Sequence, residues 1–336
     1  MSTPPSLCNL PNELAISIFN RVGLKSIQTL RKVCRDLRNR IDDIKPVANV
    51  SSVSIHIIDC KIRIEYKSKI QTLDVEESED TVEYEKTVES GRSIVRSRGS
   101  EKIVNGDFME LASRDFQLIL KFQKQSMESI SFFNGTEYLS DFLQFFEILK
   151  SFLALENRLL EVHVIIINAI DRKSVITALS LIDPQSINTI SLFDLKGRIL
   201  PIEFPEIMEM EHWKTAKRFT TSYRTTAVSA HHFRHFSHIY VNFQSISAEY
   251  LLDLKKIFQN STKADDFIIQ YETFEDREQF FEKMGPSITF DDKFEWYFRM
   301  STTDDDVLLF QLHSFKSIML NRVPVADVPE NAVIQN

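Results

Sequence analysis

Leu10-Pro11-Asn12-Glu13-Leu14, continuing through Ile18 and Val22 to Val33-Cys34-Arg35-Asp36-Leu37-Arg38, is the stretch on which the reading of this chain turns. Pro11 suits the first turn of a helix, because the N–H it lacks would be unpaired there anyway. Leu14, Ile18 and Val22 follow at four-residue spacing and form one stripe along one helical face. Gly23 breaks that helix, and the Ser26 hydroxyl is placed to cap the next. Ile27, Leu30, Cys34, Leu37 and Ile41 then recur at alternating three- and four-residue steps. Isolated helices below roughly 12–15 residues are marginal in water, so these two cannot bury both stripes on each other. An apolar stripe that its own module leaves uncovered marks a surface for a partner.

Outward from this segment, composition narrows the possibilities. The chain has 336 residues, 43% hydrophobic and 26% charged, a globular profile with room for a small module and a larger body. Its formal net charge of −8 argues against general binding to nucleic acid or membrane. No apolar run approaches the roughly 18 residues of a membrane span. Met1 to Ser6 carries neither a basic start nor an apolar core, so no signal peptide is expected. Three cysteines, Cys8, Cys34 and Cys60, fit reduced thiols in the cytoplasm or nucleus. The seven glycines are scattered, with no phosphate-cradling cluster, which removes most nucleotide-dependent enzymes.

Five regions are expected: a flexible N-terminus over 1–6, a helical module over 7–46, a β-hairpin region with a charged mobile loop over 50–106, an α/β domain over 107–325, and a tail over 326–336. Val53–Ile58 and Lys61–Tyr66 alternate at period two, as the strands of a hairpin do. Acidic residues crowd 74–85 and basic ones 92–102, as exposed loop or edge-strand tips do. Ser78, Ser90 and Ser93 are the phosphate acceptors such a linker offers. Beyond Asp107, helical and strand patterns alternate at roughly 25–30 residue spacing, which suggests a repeat-built α/β body. The fold class is thus α+β overall: a helical N-terminal module, then a leucine-rich-repeat-like domain with a mainly parallel, curved sheet.

Two resemblances carry functional weight. The pattern L-P-x-E-L-x-x-x-I-x-x-x-V … V-C-R-D-L-R over about residues 7–46 resembles an F-box, with Leu37 where most F-boxes carry Trp. The resemblance implies docking to a Skp-family adaptor, and through it to a cullin scaffold of an SCF-type ubiquitin ligase. Leu10, Pro11, Leu14, Ile18, Val22, Leu30 and Val33 are the adaptor-binding residues it implies. Glu211-His212-Trp213-Lys214-Thr215-Ala216-Lys217, His231-His232-Phe233-Arg234-His235-Phe236-Ser237-His238-Ile239 and Ser247-Ala248-Glu249-Tyr250-Leu251-Leu252-Asp253-Leu254 resemble the FTH homology domain of nematode F-box proteins. That resemblance covers roughly 110–275 and implies a protein-interaction domain with no catalytic residues.

Three clusters offer other chemistry. His231, His235 and His238 would share one face of a helix, the geometry by which histidines hold zinc; a zinc-dependent hydrolase is the alternative this supports. No carboxylate base stands between 224 and 248, however, and structural histidines are the preferred reading. Arg31, Lys32, Arg35, Arg38 and Arg40 outweigh Asp36, so a DNA-binding regulator using the basic helix 31–40 is the third reading; a solvated face is preferred. Cys34 is expected as a buried thiol in the apolar stripe, and Trp213 as a core anchor. The reading that results is a non-catalytic substrate receptor of the ligase, with no cofactor and no metal. It is expected to bind no nucleic acid and no membrane, and its substrate protein is unidentified. The 26 phenylalanines are expected to supply aromatic anchors at the receptor surface.

Overall fold

The computed structural model describes residues 7–22, 24–47, 49–69, 77–87, 91–97, 99–135, 139–168, 171–194, 204–226, 228–290 and 292–336. The chain divides into two compact units, Met1–Ser186 and Ile187–Asn336.

The first unit opens with a 3-10 turn over Leu7–Asn9 and three short helices: α1 (Asn12–Arg21), α2 (Leu24–Leu30) and α3 (Arg35–Ile44). The break at Gly23 lies outside the described residues. Pro11 is the N-cap of α1 rather than its first helical residue. The second apolar pattern proves to be two helices, because the chain leaves helical geometry before Cys34, which caps α3. Ser26 lies inside α2 and not at its start. The helices close on Ala15, Phe19, Leu24, Ile27, Leu37 and Ile41, all buried.

The body of this unit is a mixed sheet. Strands β1 (Val50–Ile58), β2 (Lys61–Lys69), β3 (Glu77–Lys86), β4 (Arg92–Ser97) and β5 (Ser100–Asn105) form an antiparallel meander. Then come α4 (Phe108–Phe122), β6 (Met127–Asn134), α5 (Leu139–Leu155), β7 (Val162–Asn168) and α6 (Arg172–Leu179). β6 runs parallel to β1 and β7 parallel to β6, giving the order β7-β6-β1-β2-β3-β4-β5. Asp107 starts α4 by accepting from the Met109 and Glu110 N–H groups at 2.9 and 3.4 Å. Helix α4 packs on β2, β3, β4 and α5, and Phe116, Phe142, Phe145 and Phe146 fill the space beneath the helices. Gln123, buried at the end of α4, grips Val50 with both ends of its amide at 3.0 Å, and so ties the helical module's exit to the sheet.

The charged segment expected to be a mobile loop forms strands over Glu77–Lys86, Arg92–Ser97 and Ser100–Asn105. Its charges pair across strands: acidic β3 lies between basic residues of β2 and β4. Glu83 meets Arg63 at 3.0 Å and Arg96 at 3.2 Å, and Glu85 meets Lys61 at 3.3 Å. Alternating blocks of opposite sign are what cross-strand pairing needs, and this explains the misreading. Ser93 is fully buried and donates to the Gly106 carbonyl at 2.8 Å, so it is no exposed phosphate acceptor. Residues 70–76, Ser90 and the Ser78 side chain lie outside the description.

The second unit contains β8 (Thr189–Phe193), α7 (Pro205–Glu209), α8 (Glu211–Thr215), β9 (Arg218–Thr225), β10 (His238–Ile246), α9 (Ala248–Gln259) and β11 (Asp266–Phe274). It ends with α10 (Arg277–Met284), β12 (Ile288–Phe290), β13 (Lys293–Arg299), β14 (Asp306–His313), β15 (Ser317–Pro324) and β16 (Ile334–Gln335). β8 to β11 are parallel neighbours; β15 then joins β11 antiparallel, and β14, β13 and β12 continue antiparallel. Within the expected tail, Ile334 and Gln335 pair with β13.

The expectation of a mainly parallel, curved, leucine-rich-repeat-like sheet is therefore corrected to a mixed sheet. Parallel strands need a long crossover, antiparallel ones only a turn. The helix-linked strands are parallel and the turn-linked ones antiparallel; the repeat periodicity registers only the former.

Candidate protein-binding face

Helix α1 carries two apolar stripes side by side. Ala15 and Phe19 point inward and are fully buried. Leu14 and Ile18, one position earlier in each pair, remain 53% and 37% exposed. Pro11, also exposed, precedes them on the same flank. Val33 is 67% exposed in the turn before α3. The sulfur of Cys8 lies 3.9 Å from that of Cys34, so the turn before α1 adjoins the turn before α3. The segment leading to Leu10 and Pro11 and the turn carrying Val33 are thereby neighbours. Val22 and Leu30 are half-buried and contribute less surface.

Arg40 shapes this face from behind. Its guanidinium donates to the carbonyls of Cys8 and Leu10 and reaches the Asn12 side-chain oxygen at 3.4 Å. The segment leading to Pro11 is thus clasped onto α3. Asn20 fixes the other end of the module, accepting from the Val47 N–H at 3.0 Å. Cys34 is exposed, contrary to the expected buried thiol. Its sulfur accepts from the Leu37 N–H at 3.4 Å, a capping position, and Leu37 takes the core place instead.

The F-box domain family matches residues 7–49, the three helices and their exit. The FTH domain family matches residues 143–283. The chain carries an F-box domain followed by an FTH domain. A curated relative, F-box A protein 224 of Caenorhabditis elegans, is 23% identical over an alignment of 274 residues that covers 78% of this chain and 65% of that protein. The match thus spans just under two thirds of the relative's length.

The FTH region does not assemble the histidine face. The chain over Ala230–Phe233 is a single 3-10 turn, and His238 belongs to β10. His231 is exposed. His235 donates from Nε2 to the Trp213 carbonyl at 2.7 Å, while His238 meets Asp265 at 3.1 Å. Burial pushes the His235 pKa below its ordinary value, the Trp213 carbonyl opposing only in part. Among the described residues, no group of three or more His, Cys, Asp or Glu side chains could hold a metal ion. Trp213 is a core anchor, packed among Phe204, Phe219, Phe233 and Phe236.

The expected basic helix over 31–40 is not one helix, since a turn covers 31–33 and α3 begins at Arg35, and two of its five cations are held within the module. Arg31 grips Asp42 with two bonds of 2.8 and 2.9 Å, and Arg40 forms the clasp. The phenylalanines are mostly core: among the exposed large apolar residues described, Phe315 is the one phenylalanine. Among the described residues, no helix is long and apolar enough to cross a membrane.

Sequence reasoning missed Phe19 and Arg40. Phe19 stands four residues after Ala15, a second stripe beside the first and readable from spacing. Arg40 reaches carbonyls more than 25 positions away, and no local pattern announces such a bond.

Proposed function

We propose that this chain is a non-catalytic substrate receptor of an SCF-type ubiquitin ligase. The F-box face would bind a Skp-family adaptor, and through it a cullin scaffold, while the FTH-bearing body holds a substrate protein. The observation that carries the reading is the outward stripe of Leu14 and Ile18, with Val33 also exposed in the turn before α3. These are large apolar groups left in solvent by a module whose core is otherwise closed. Adaptor contact would remove that surface from water. Holding a substrate beside the ubiquitin-charged partner then raises its local concentration, so the chain contributes proximity and needs no catalytic residue of its own. Action inside the cell, in cytoplasm or nucleus, follows from this role.

Leu14→Asp with Ile18→Asp tests the reading. Full burial of such a side chain contributes about 1.5–3 kcal/mol, and the pair still has close to one side chain's worth of surface to bury. Desolvating each new carboxylate adds more than the roughly 1–3 kcal/mol that an unpaired neutral polar group costs. The summed loss is at least about 3 kcal/mol, or roughly a hundredfold in Kd. The double variant should lose a purified Skp-family adaptor while keeping the wild-type melting curve. Undiminished adaptor binding by the folded variant contradicts the proposal.

A further inference from the structure

A cleft of about 490 Å³ opens between the turn ahead of α3 and helix α4. Its size falls within the range of ligand pockets, about 300–1,000 Å³. Cations dominate the lining: Arg31, Lys32, Arg38, Arg114 and Lys121, against the single carboxylate of Asp115. That carboxylate is already engaged. Tyr84 donates its hydroxyl to Asp115 at 2.8 Å, and Arg114 lies 3.8 Å from the other oxygen. Arg31 is likewise held by Asp42.

The remaining cations are not answered. Among the described residues, Lys32, Arg38 and Lys121 have no carboxylate at ion-pair distance. Arg38 is fixed beside the cleft, because its Nε donates to the Arg31 carbonyl at 2.9 Å. Leu118 and Phe152, both half-exposed, supply an apolar patch. Gln28 and Gln117 add side-chain amides that can both donate and accept, as a peptide backbone requires.

We propose that this cleft holds a short acidic segment of a partner protein. Its carboxylates lie on Lys32, Arg38 and Lys121, and one large apolar side chain lies on Leu118 and Phe152. A short segment fits the charge pattern better than a nucleic acid does. The chain as a whole carries −8, which repels a long polyanion beyond the cleft, whereas a short ligand sees mainly charges within a Debye length of about 8 Å. The cleft shares the turn before α3 with the proposed adaptor face, Lys32 preceding Val33, but α4 and α5 build its other half, and it holds whether or not the adaptor reading does.

Fluorescence anisotropy of the full chain tests it with four labelled probes. The first is a heptapeptide of Asp and Glu with a central Leu; the second replaces the acids by Asn and Gln; the third replaces Leu by Ser; the fourth is a single-stranded oligonucleotide of equal charge. The acidic Leu peptide should bind, and each of the other three should bind at least about tenfold more weakly, a difference of 1.4 kcal/mol. Lys32→Glu with Lys121→Glu should abolish binding, Lys32→Gln with Lys121→Gln should weaken it, and Arg234→Glu with Lys263→Glu, on the surface of the other unit, should leave it intact. Lys121→Gln alone, on α4 and outside the F-box, should weaken peptide binding while leaving adaptor affinity, measured in parallel, unchanged, which separates this site from the F-box face. Equal binding of the neutral peptide, tighter binding of the oligonucleotide, or no effect of either cleft pair in folded protein overturns the proposal.

Discussion

Replacing Arg40 by Ala should separate the binding face from the stability of the fold. The guanidinium donates to the Cys8 and Leu10 carbonyls, holding the segment that leads into Pro11 against α3. Hydrogen bonds to a charged group contribute about 1.5–3 kcal/mol each, and these carbonyls can be rehydrated when released, so the low end applies: about 3 kcal/mol for the clasp. The freed segment precedes α1 and can detach without opening the core of Phe19, Ile27 and Leu37. Only part of that energy should therefore reach global unfolding, about 1 kcal/mol, or roughly 2–4 °C in Tm for a unit of this size. Adaptor affinity should suffer more, because binding must reorder several backbone residues at about 1 kcal/mol each. The expected loss is roughly 2–3 kcal/mol, thirty- to over a hundredfold in Kd. Calorimetric titration against a purified Skp-family adaptor reads the affinity, a thermal melt reads the stability, and limited proteolysis ahead of Pro11 reports release of the segment. Full affinity in a variant whose segment is demonstrably released would refute the role given to the clasp.

Phe19→Ala, a buried truncation, should cost about 3–5 kcal/mol and melt the F-box, whereas Leu14→Ala, on the exposed stripe, should change stability by less than about 1 kcal/mol; parallel urea titrations distinguish the two. Glu295 gives a pH signature in the second unit. Burial raises its pKa, but bonds from Lys293, Gln311 and Tyr297 outweigh that and hold it below the usual 4.5. A depressed carboxylate stabilises the fold above its unfolded pKa, and this contribution is lost as pH falls below about 4.5 toward the folded value. Glu295→Gln should therefore flatten the acid limb of a plot of Tm against pH, and an unchanged limb would show that these bonds do not stabilise the carboxylate.

The legible parts of this fold were those encoded locally. A hydroxyl just ahead of an apolar helical pattern is such a local signal, and Ser247 caps α9 in this way, accepting from the Tyr250 N–H at 3.2 Å. The outward stripe was legible because Leu14 and Ile18 have no reason to be apolar unless something covers them. Strand direction was not legible. Val162–Asn168 and Asp306–His313 look alike as apolar segments, yet the first is parallel to its neighbour β6 and the second antiparallel to both of its neighbours. The charge blocks over 74–102 failed for the same reason, since their solution is pairing with strands whose register the sequence does not state. The zinc alternative, ranked below structural histidines, assumed a helix; a 3-10 turn instead leaves His231 exposed and takes His235 to the Trp213 carbonyl and His238 to Asp265. The basic cleft escaped because Lys121 and Phe152 reach it from elements far along the chain.

Hydroxyl-radical footprinting of the full chain, with and without a purified Skp-family adaptor, addresses the central claim at the residues that carry it. Leu14, Ile18 and Val33 are exposed in the free protein at 53%, 37% and 67%, so their side chains should oxidise readily. Adaptor should suppress oxidation at all three and leave Phe315 and Val333, exposed in the other unit at 63% each, unchanged. Saturating adaptor that leaves Leu14 and Ile18 as reactive as before, or that protects Phe315 and Val333 instead, would contradict the assignment of this face.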